Sequence, residues 1–167
     1  KEEAEAQIKK YETEINNLSS EYRVKESRLK FLQETEREKE GYVKSVKSLL
    51  LGCDKDATLK KGMHGVLANI INSPKEYETA IEMCLGAALQ NIVTETEQDA
   101  KKMVEYLRIN NLGRASFLPI SSVKGNSLNK IKDGGISGVI GVASDLVDYE
   151  KKYEGIVLNL LGRTVIV

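Results

Sequence analysis

The chain has 167 residues, of which 41% are hydrophobic, 30% charged and 5% aromatic, so it can form one core but carries much exposed polar surface. Its 25 Lys and Arg residues equal its 25 Asp and Glu residues, and this balance argues against a strongly basic nucleic-acid-binding segment. No apolar run approaches a membrane span and no segment has the pattern of a signal peptide. We therefore expect a soluble cytoplasmic protein with no membrane partner and no cofactor.

A heptad pattern runs through the first fifty residues. Counting from Ile8 in alternating steps of three and four, eleven of the fourteen positions between Ala4 and Leu50 are apolar. A 3.5-residue repeat over more than six heptads predicts a coiled coil, because only a supercoiled helix keeps such a stripe against a partner helix. A long amphipathic helix lying on its own domain is the alternative. The predicted contact positions, here called the arm seam, are Ile8, Tyr11, Ile15, Leu18, Tyr22, Leu29, Leu32, Val43, Val46 and Leu50.

The pattern predicts one continuous helix over residues 1–51, the coiled-coil arm. Gly41 falls at a solvent-facing heptad position, where a helix can contain glycine at a cost of about 1 kcal/mol relative to Ala. Glu36 and Lys39 occupy consecutive heptad contact positions and form the weakest point of the predicted coiled coil, because burying either charged side chain costs free energy. Gly52 is expected to end the helix.

Strand and helix patterns alternate over residues 52–119. A β-rich stretch covers 64–71, and Ser73 to Glu76 have the form of a capping box that opens a helix with Gly86 inside it. A short strand at 91–94 precedes a helix capped by Thr96 and ended near Gly113, and 115–118 are strand-like. These elements predict a compact α/β subdomain.

A second subdomain is predicted over residues 120–167. A polar loop at 121–129 leads to a strand at 138–142, and Asp148 is expected to cap a helix that Gly162 closes. A further strand begins at Thr164. The predicted fold class is therefore α/β (α+β), with two subdomains after a long coiled-coil helix.

Catalytic and metal-binding signals are weak. His64 is the only histidine and has no Ser, Cys or carboxylate partner near it in sequence. Cys53 and Cys84 lie 31 residues apart, which predicts two buried thiols rather than a metal site or a disulfide framework. The glycines of "KDGGISGVIG" match neither dinucleotide-binding nor phosphate-loop patterns. We therefore predict no catalytic, cofactor-binding or metal-binding residue.

Several lysines gather where the predicted arm meets the first subdomain. Lysine side chains without base-reading geometry bind phosphates weakly and without sequence preference. An ordinary solvated surface is the alternative interpretation. The candidate DNA-contacting residues are Lys44, Lys47, Lys55, Lys60 and Lys61.

Four segments of the chain carry a resemblance to a known family: "EGYVKSVKSLL", "HGVLANII", the stretch containing "ALQNIV" and "GRASFLP", and "GVASDLV" with its continuation to "GRTVIV". In this order and spacing they resemble the hinge of structural maintenance of chromosomes (SMC) proteins of the prokaryotic type. The resemblance implies a homodimer through the hinge, an antiparallel return helix absent from this chain, and weak DNA contact near the coil. It also implies a nucleoid-associated protein whose ATPase heads lie elsewhere, and a second subdomain that is incomplete at the C-terminus.

Two classes of function follow. The first is a non-enzymatic dimerisation hinge of a chromosome-organising SMC protein. The second is a small-molecule-binding or enzymatic α/β domain that carries an oligomerising coiled coil. The absence of a phosphate-loop motif and of a convergent acid and base set in the sequence favours the first.

Overall fold

The computed structural model describes residues 2–128 and 138–167. Asn129 of the predicted polar loop, and most of the glycine-rich "KDGGISGVIG" segment, lie outside the described residues. The chain forms two compact units, Lys1–Gly41 and Tyr42–Val167.

The first unit is a single long helix, α1 (Glu2–Arg37). It ends in a Schellman motif, in which the Lys39 amide donates to the Glu36 carbonyl (3.1 Å) and the Glu40 amide donates to the Thr35 carbonyl (3.1 Å). Lys39 has φ +52° and Gly41 has φ +91°, both in the left-handed region, where a right-handed helix cannot continue.

The predicted continuous helix to Leu50 is therefore wrong. Gly41 supplies a positive φ just after the helix end, instead of lying on the solvent side of an unbroken helix. The end falls at the pair Glu36 and Lys39, which the heptad pattern marks as its weakest point.

The second unit begins with α2 (Lys44–Lys55) and α3 (Ala57–Lys60). Gly52 lies inside α2 and does not end it, which corrects the predicted helix stop. A Cβ at Gly52 would lie 2.5 Å from the Tyr106 hydroxyl oxygen, so the glycine makes room for that ring. Six positions at helical spacing form the buried face of α2, namely Ser45, Val46, Leu49, Leu50, Gly52 and Cys53.

A three-stranded sheet follows in the order β1-β2-β3, formed by Met63–Val66, Ile92–Thr94 and Phe117–Pro119. β1 pairs antiparallel to β2, and β2 pairs parallel to β3. All three residues of the central strand β2 are buried, as its β-branched sequence predicts. β1 is shorter than the predicted 64–71 strand, because Leu67–Asn69 turn into a 3-10 helix.

Helix α4 (Glu78–Leu85) begins later than the predicted capping box requires. The Ser73 hydroxyl donates to the Pro74 carbonyl (3.3 Å), and the Tyr77 amide donates to the same carbonyl (2.9 Å), so these residues form a turn. Gly86, with φ +47°, ends α4 and starts a 3-10 helix, Gly86–Gln90, so it does not lie within a longer helix.

Helix α5 (Glu97–Ile109) forms as predicted and connects β2 to β3. The Thr96 hydroxyl oxygen accepts a hydrogen bond from the Asp99 amide (3.2 Å), which satisfies one free donor of the first turn. Asn111 (φ +52°) and Gly113 (φ +92°) turn the chain away from the helix end.

The C-terminal part contains a two-stranded antiparallel sheet, β4 (Gly141–Val142) with β5 (Val165–Ile166), and helix α6 (Glu154–Leu161). Gly162 closes α6 as predicted. Asp148 does not cap this helix, because a 3-10 helix, Lys151–Tyr153, comes first. The Asp148 backbone instead exchanges two hydrogen bonds with Asn72 (2.7 and 2.9 Å).

Two hydrophobic clusters form the core of the second unit. The first packs α2 against β1, β2 and α5 through residues such as Leu49, Ile92 and Met103. The second joins residues from both predicted subdomains, for example Leu67 and Ile81 with Ile156. The mixed α/β class is confirmed. The subdomain boundary at 119/120 stays a prediction, and the second cluster contains residues from both sides of it.

Candidate functional site

The five candidate DNA-contacting lysines lie on the first two helices of the second unit or at their ends. Lys44, Lys47 and Lys55 are in α2, Lys60 is the last residue of α3, and Lys61 caps it. At 100° per residue, the three α2 positions fall within about 80° of one another, opposite the buried face. Lys44 and Lys55 are exposed on this side of the helix, and Lys47 is half-buried.

Two aspartates lie among these lysines and reduce the positive charge. The Lys60 ammonium lies 3.9 Å from the Asp54 carboxylate, and because both side chains are exposed this pair contributes little. Asp56 caps α3 by accepting from the Thr58 and Leu59 amides (2.8 and 3.3 Å). Hydrogen bonds, first from the Thr58 hydroxyl and then from these amides, lower the pKa of Asp56 below its ordinary value. The segment 44–61 thus has a net charge of +3 at neutral pH.

The arm-seam positions of α1 are exposed in this chain. Each is between 52% and 65% accessible, although apolar side chains at this spacing are expected to be covered. These residues form an apolar row along one side of a 36-residue helix, interrupted once by Lys25. The exposed seam residues of α1 are Ile8, Tyr11, Ile15, Leu18, Tyr22, Leu29 and Leu32.

The other three predicted seam residues do not belong to that row. Val46 and Leu50 are 1% and 9% exposed and pack in the first hydrophobic cluster of the second unit. Val43 lies outside α1, in extended backbone just before α2, and is 52% exposed. The heptad pattern continued past Gly41 because α2 has an apolar face of its own.

His64 has partners that the sequence does not reveal. Its Nδ1 lies 3.0 Å from the Tyr153 hydroxyl, and its Nε2 lies 2.6 Å from a Glu95 carboxylate oxygen. The two rings also meet edge to face at 5.6 Å. These contacts link β1, the residue after β2, and the 3-10 helix before α6. Tyr153 is buried, so the arrangement serves packing rather than contact with a substrate.

No sequence signal could have identified this group, because Glu95 and Tyr153 lie 31 and 89 residues from His64. The expectation that His64 lacks nearby partners holds for the sequence and fails in the fold.

Only one of the two cysteines is buried as predicted. Cys53 is buried in α2, and burial raises the pKa of its thiol to about 11. Cys84 is exposed on α4, which corrects the prediction for that residue.

Within residues 2–128 and 138–167, no group of three His, Cys, Asp or Glu side chains could hold a metal ion, and no helix is long and apolar enough to cross a bilayer. A surface cavity of about 590 Å³ beside α5 has an apolar and cationic lining. It is lined by Val104, Leu107, Arg108, Asn111, Gly113, Arg114 and Ala115.

Comparison with known proteins identifies relatives for most of the chain. Residues 60–167 match the family described as SMC proteins Flexible Hinge Domain. The Chromosome partition protein Smc of Desulfitobacterium hafniense is 39% identical over 162 residues, which cover 96% of this chain and 14% of that protein. The protein of the same name from Bacillus subtilis is 40% identical over 109 residues, 63% of this chain and 9% of that protein. The chain thus spans a small part of the length of these relatives.

Solved structures agree with the sequence comparison. An asymmetric dimer of the Geobacillus stearothermophilus SMC hinge domain matches with a TM-score of 0.75 and 36% identity, over 87% of this chain and 59% of that one. The Pyrococcus furiosus Smc hinge domain with an extended coiled coil matches with a TM-score of 0.57 and 32% identity, over 85% of this chain and 52% of that one. Because the hinge match covers well over half of the residues, the chain belongs to the SMC flexible hinge family.

Proposed function

We propose that this chain is the dimerisation hinge of a chromosome-organising SMC protein and that it joins two coiled-coil arms. The observation that carries the proposal is the exposed apolar row on α1, followed along the chain by a unit of the hinge family. An apolar stripe at 3.5-residue spacing is stable in water only when another helix covers it. A hinge unit preceded by such a helix can therefore connect coiled-coil arms.

The partner of α1 in this proposal is an antiparallel return helix. Of the other helices in the described part of the chain, the longest is α5 with 13 residues, against 36 for α1. A helix of comparable length must therefore come from outside these residues or from another chain.

Pairing of two hinges is the second element of the proposal. The related Geobacillus stearothermophilus hinge forms an asymmetric dimer, and the relatives in Desulfitobacterium and Bacillus are chromosome partition proteins. On the basis of these relatives, we propose a homodimer through the second unit, located in the cytoplasm at the nucleoid. In this proposal the chain contributes the joint and no catalysis of its own.

DNA contact is the third element. The five lysines of segment 44–61 project from the solvent side of α2 and from α3, and their net charge of +3 favours a phosphate backbone without reading bases. Binding should therefore be weak, salt-sensitive and independent of sequence.

Sedimentation equilibrium on the whole chain tests the dimer. We expect a concentration-dependent dimer that persists when Leu18→Asp blocks association through α1, because the hinge contact lies in the second unit. The substitution Asn17→Asp, on the same helix but off the arm seam, is the matched control. A Leu18→Asp variant that remains a monomer at every concentration would show that the hinge does not pair by itself.

A further inference from the structure

The loop of residues 123–128 packs directly on α6, and three glycines make this possible. A Cβ on Gly125 would overlap the backbone of Leu158 and Asn159. A Cβ on Gly155 would lie 2.6 Å from the Val123 carbonyl oxygen, and one on Gly162 would lie 2.6 Å from the Asn126 carbonyl oxygen. Loop and helix therefore meet backbone to backbone.

Hydrogen bonds fix the loop in this position. The Leu128 amide donates to the Gly162 carbonyl (2.7 Å), and the Asn159 side-chain amide donates to the Lys124 carbonyl (3.2 Å). The first bond satisfies a carbonyl just past the C-terminal end of α6, where partial negative charge would otherwise face the loop. The loop and the helix therefore form one continuous surface.

This surface contains a polar cavity with an excess of positive charge. Its volume is about 430 Å³, within the range of small-molecule sites. Two of its residues are cations, neither of which forms an ion pair within 4 Å among the described residues, and none is a carboxylate. The lining residues are Lys124, Gly125, Asn126, Ser127, Leu128, Asn159 and Arg163.

A helix C-terminus alone accounts for one of these cations. Arg163 directly follows the Gly162 cap of α6, where a positive charge complements the helix dipole. The dipole does not account for Lys124, which lies in the loop and lines the same cavity. Two like charges at one concave site repel each other, and a bound anion would relieve that repulsion.

We propose that this cavity binds the terminal phosphate of a small phosphorylated molecule. Arg163 supplies a planar guanidinium that can donate two hydrogen bonds to phosphate oxygens, and Lys124 supplies a compact second charge. Asn126, Ser127 and Asn159 carry neutral donors that can complete the coordination. A concave site of this volume favours a small ligand, because proteins bind a nucleic-acid strand along its backbone in an extended groove.

Titration of the whole chain with pyrophosphate at constant ionic strength tests the proposal. We expect saturable amide shifts in nuclear magnetic resonance spectra, concentrated at residues 124–128 and 159–163. The double substitution Lys124→Gln with Arg163→Gln should weaken binding at least tenfold. The matched control is Lys75→Gln with Lys151→Gln, which removes the same charge from exposed positions on other elements. Equal weakening by both pairs, or shifts that do not saturate, would overturn the proposal.

Two further measurements keep the result interpretable. Arg163→Lys keeps the charge and loses the planar fork, so it should show an intermediate loss of affinity even if the double variant folds poorly. A ten-nucleotide single-stranded DNA provides the competing ligand. Binding of that DNA that depends on Lys124 and Arg163, without binding of pyrophosphate, would assign the cavity to nucleic acid and contradict a small ligand. Neither result depends on whether the hinge dimerises.

Discussion

Helices α1 and α2 follow the same heptad pattern and use it in opposite ways. In α1 the arm-seam side chains are more than half exposed, whereas in α2 the apolar positions Val46 and Leu49 are 1% and 0% exposed. The two helices are separated by left-handed residues at Lys39 and Gly41. The comparison shows that an apolar stripe predicts a packing partner for the helix. It does not show whether that partner belongs to the same unit or to another segment.

The largest expected difference between the two helices is in stability. Leu49→Ala should lower the free energy of unfolding of the second unit by roughly 3–5 kcal/mol, because it leaves a cavity in a closed core. Leu18→Ala, the same change on α1, should alter it by less than about 0.5 kcal/mol. Urea unfolding followed by tyrosine fluorescence measures both. Similar losses for the two variants would show that α1 is stabilised by the same core.

Introducing a charge into the arm seam tests whether another helix packs on α1. Leu18→Asp should reduce association through α1 at least tenfold and lower helix content, because a buried carboxylate is costly in a coiled-coil contact. Asn17→Asp adds the same charge on the neighbouring side and should change neither property. Sedimentation velocity and circular dichroism report the two effects. If Leu18→Asp behaves like its control, the arm-seam assignment fails.

Charge reversal on α2 and α3 tests whether the lysines of segment 44–61 contact DNA. The combined substitutions Lys44→Glu, Lys47→Glu, Lys60→Glu and Lys61→Glu should reduce DNA affinity at least tenfold, because phosphate contacts dominate non-specific binding. The salt dependence of the remaining binding should also become shallower. Fluorescence anisotropy with a labelled oligonucleotide measures both quantities.

The control for charge reversal changes four exposed lysines elsewhere in the chain. It consists of glutamate substitutions at Lys30, Lys75, Lys101 and Lys151. Because net charge changes equally, a matching loss of DNA affinity would mean that overall charge, and not segment 44–61, determines binding.

The contact between His64 and Tyr153 predicts that the two side chains contribute jointly to the stability of the second unit. Tyr153→Phe should cost about 1 kcal/mol, since it removes the hydroxyl that lies 3.0 Å from His64 Nδ1. Tyr149→Phe, at a half-buried ring on the same connection, should cost less. In a double-mutant cycle with His64→Phe, the two changes should be non-additive by about 0.5–1.5 kcal/mol. Additive losses would show that the two residues stabilise the fold separately.

The cap of α5 predicts an effect that depends on pH. Thr96→Val should destabilise the second unit by about 1 kcal/mol at pH 7. Hydrogen bonds from the Thr96 hydroxyl and from Lys102 lower the pKa of Asp99, so this contribution is complete above the ordinary carboxyl range. It is lost as the pH falls through the lowered pKa of Asp99. Melting temperatures should therefore differ most above about pH 5, and the difference should narrow towards pH 3, where only the bond between the Asp99 amide and the Thr96 hydroxyl remains. Thr79→Val on α4 is the control, and a pH-independent difference would contradict the role of Asp99.

Features set by neighbouring residues could be predicted from the sequence. The strand at Ile92–Thr94, the Thr96 cap and the helix end at Gly162 each depend on residues within one turn of the feature. Local sequence patterns gave wrong predictions where the same residues are compatible with two different structures. Ser73 and Pro74 fit a helix start or a turn, and the turn forms because Tyr77 bonds the Pro74 carbonyl.

Features set by the tertiary fold could not be predicted. The Schellman motif at Lys39 places a non-glycine residue in the left-handed region, against local preference. The partners of His64 become close only after the sheet and α6 assemble. The lysine segment was recognised by composition, but the aspartate cap within it depends on the short helix α3.

The burial of Cys53 gives the protein an internal reporter of its own opening. With a pKa of about 11, only about one such thiol in ten thousand is ionised at pH 7, and the side chain is also shielded from reagents. Cys84 is exposed and accepts a label at once. Once Cys84 has been blocked, slow alkylation at Cys53 measures how often the chain segment around α2 separates from α5. An ordinary core thiol thereby makes the local unfolding rate of the hinge observable without an introduced probe.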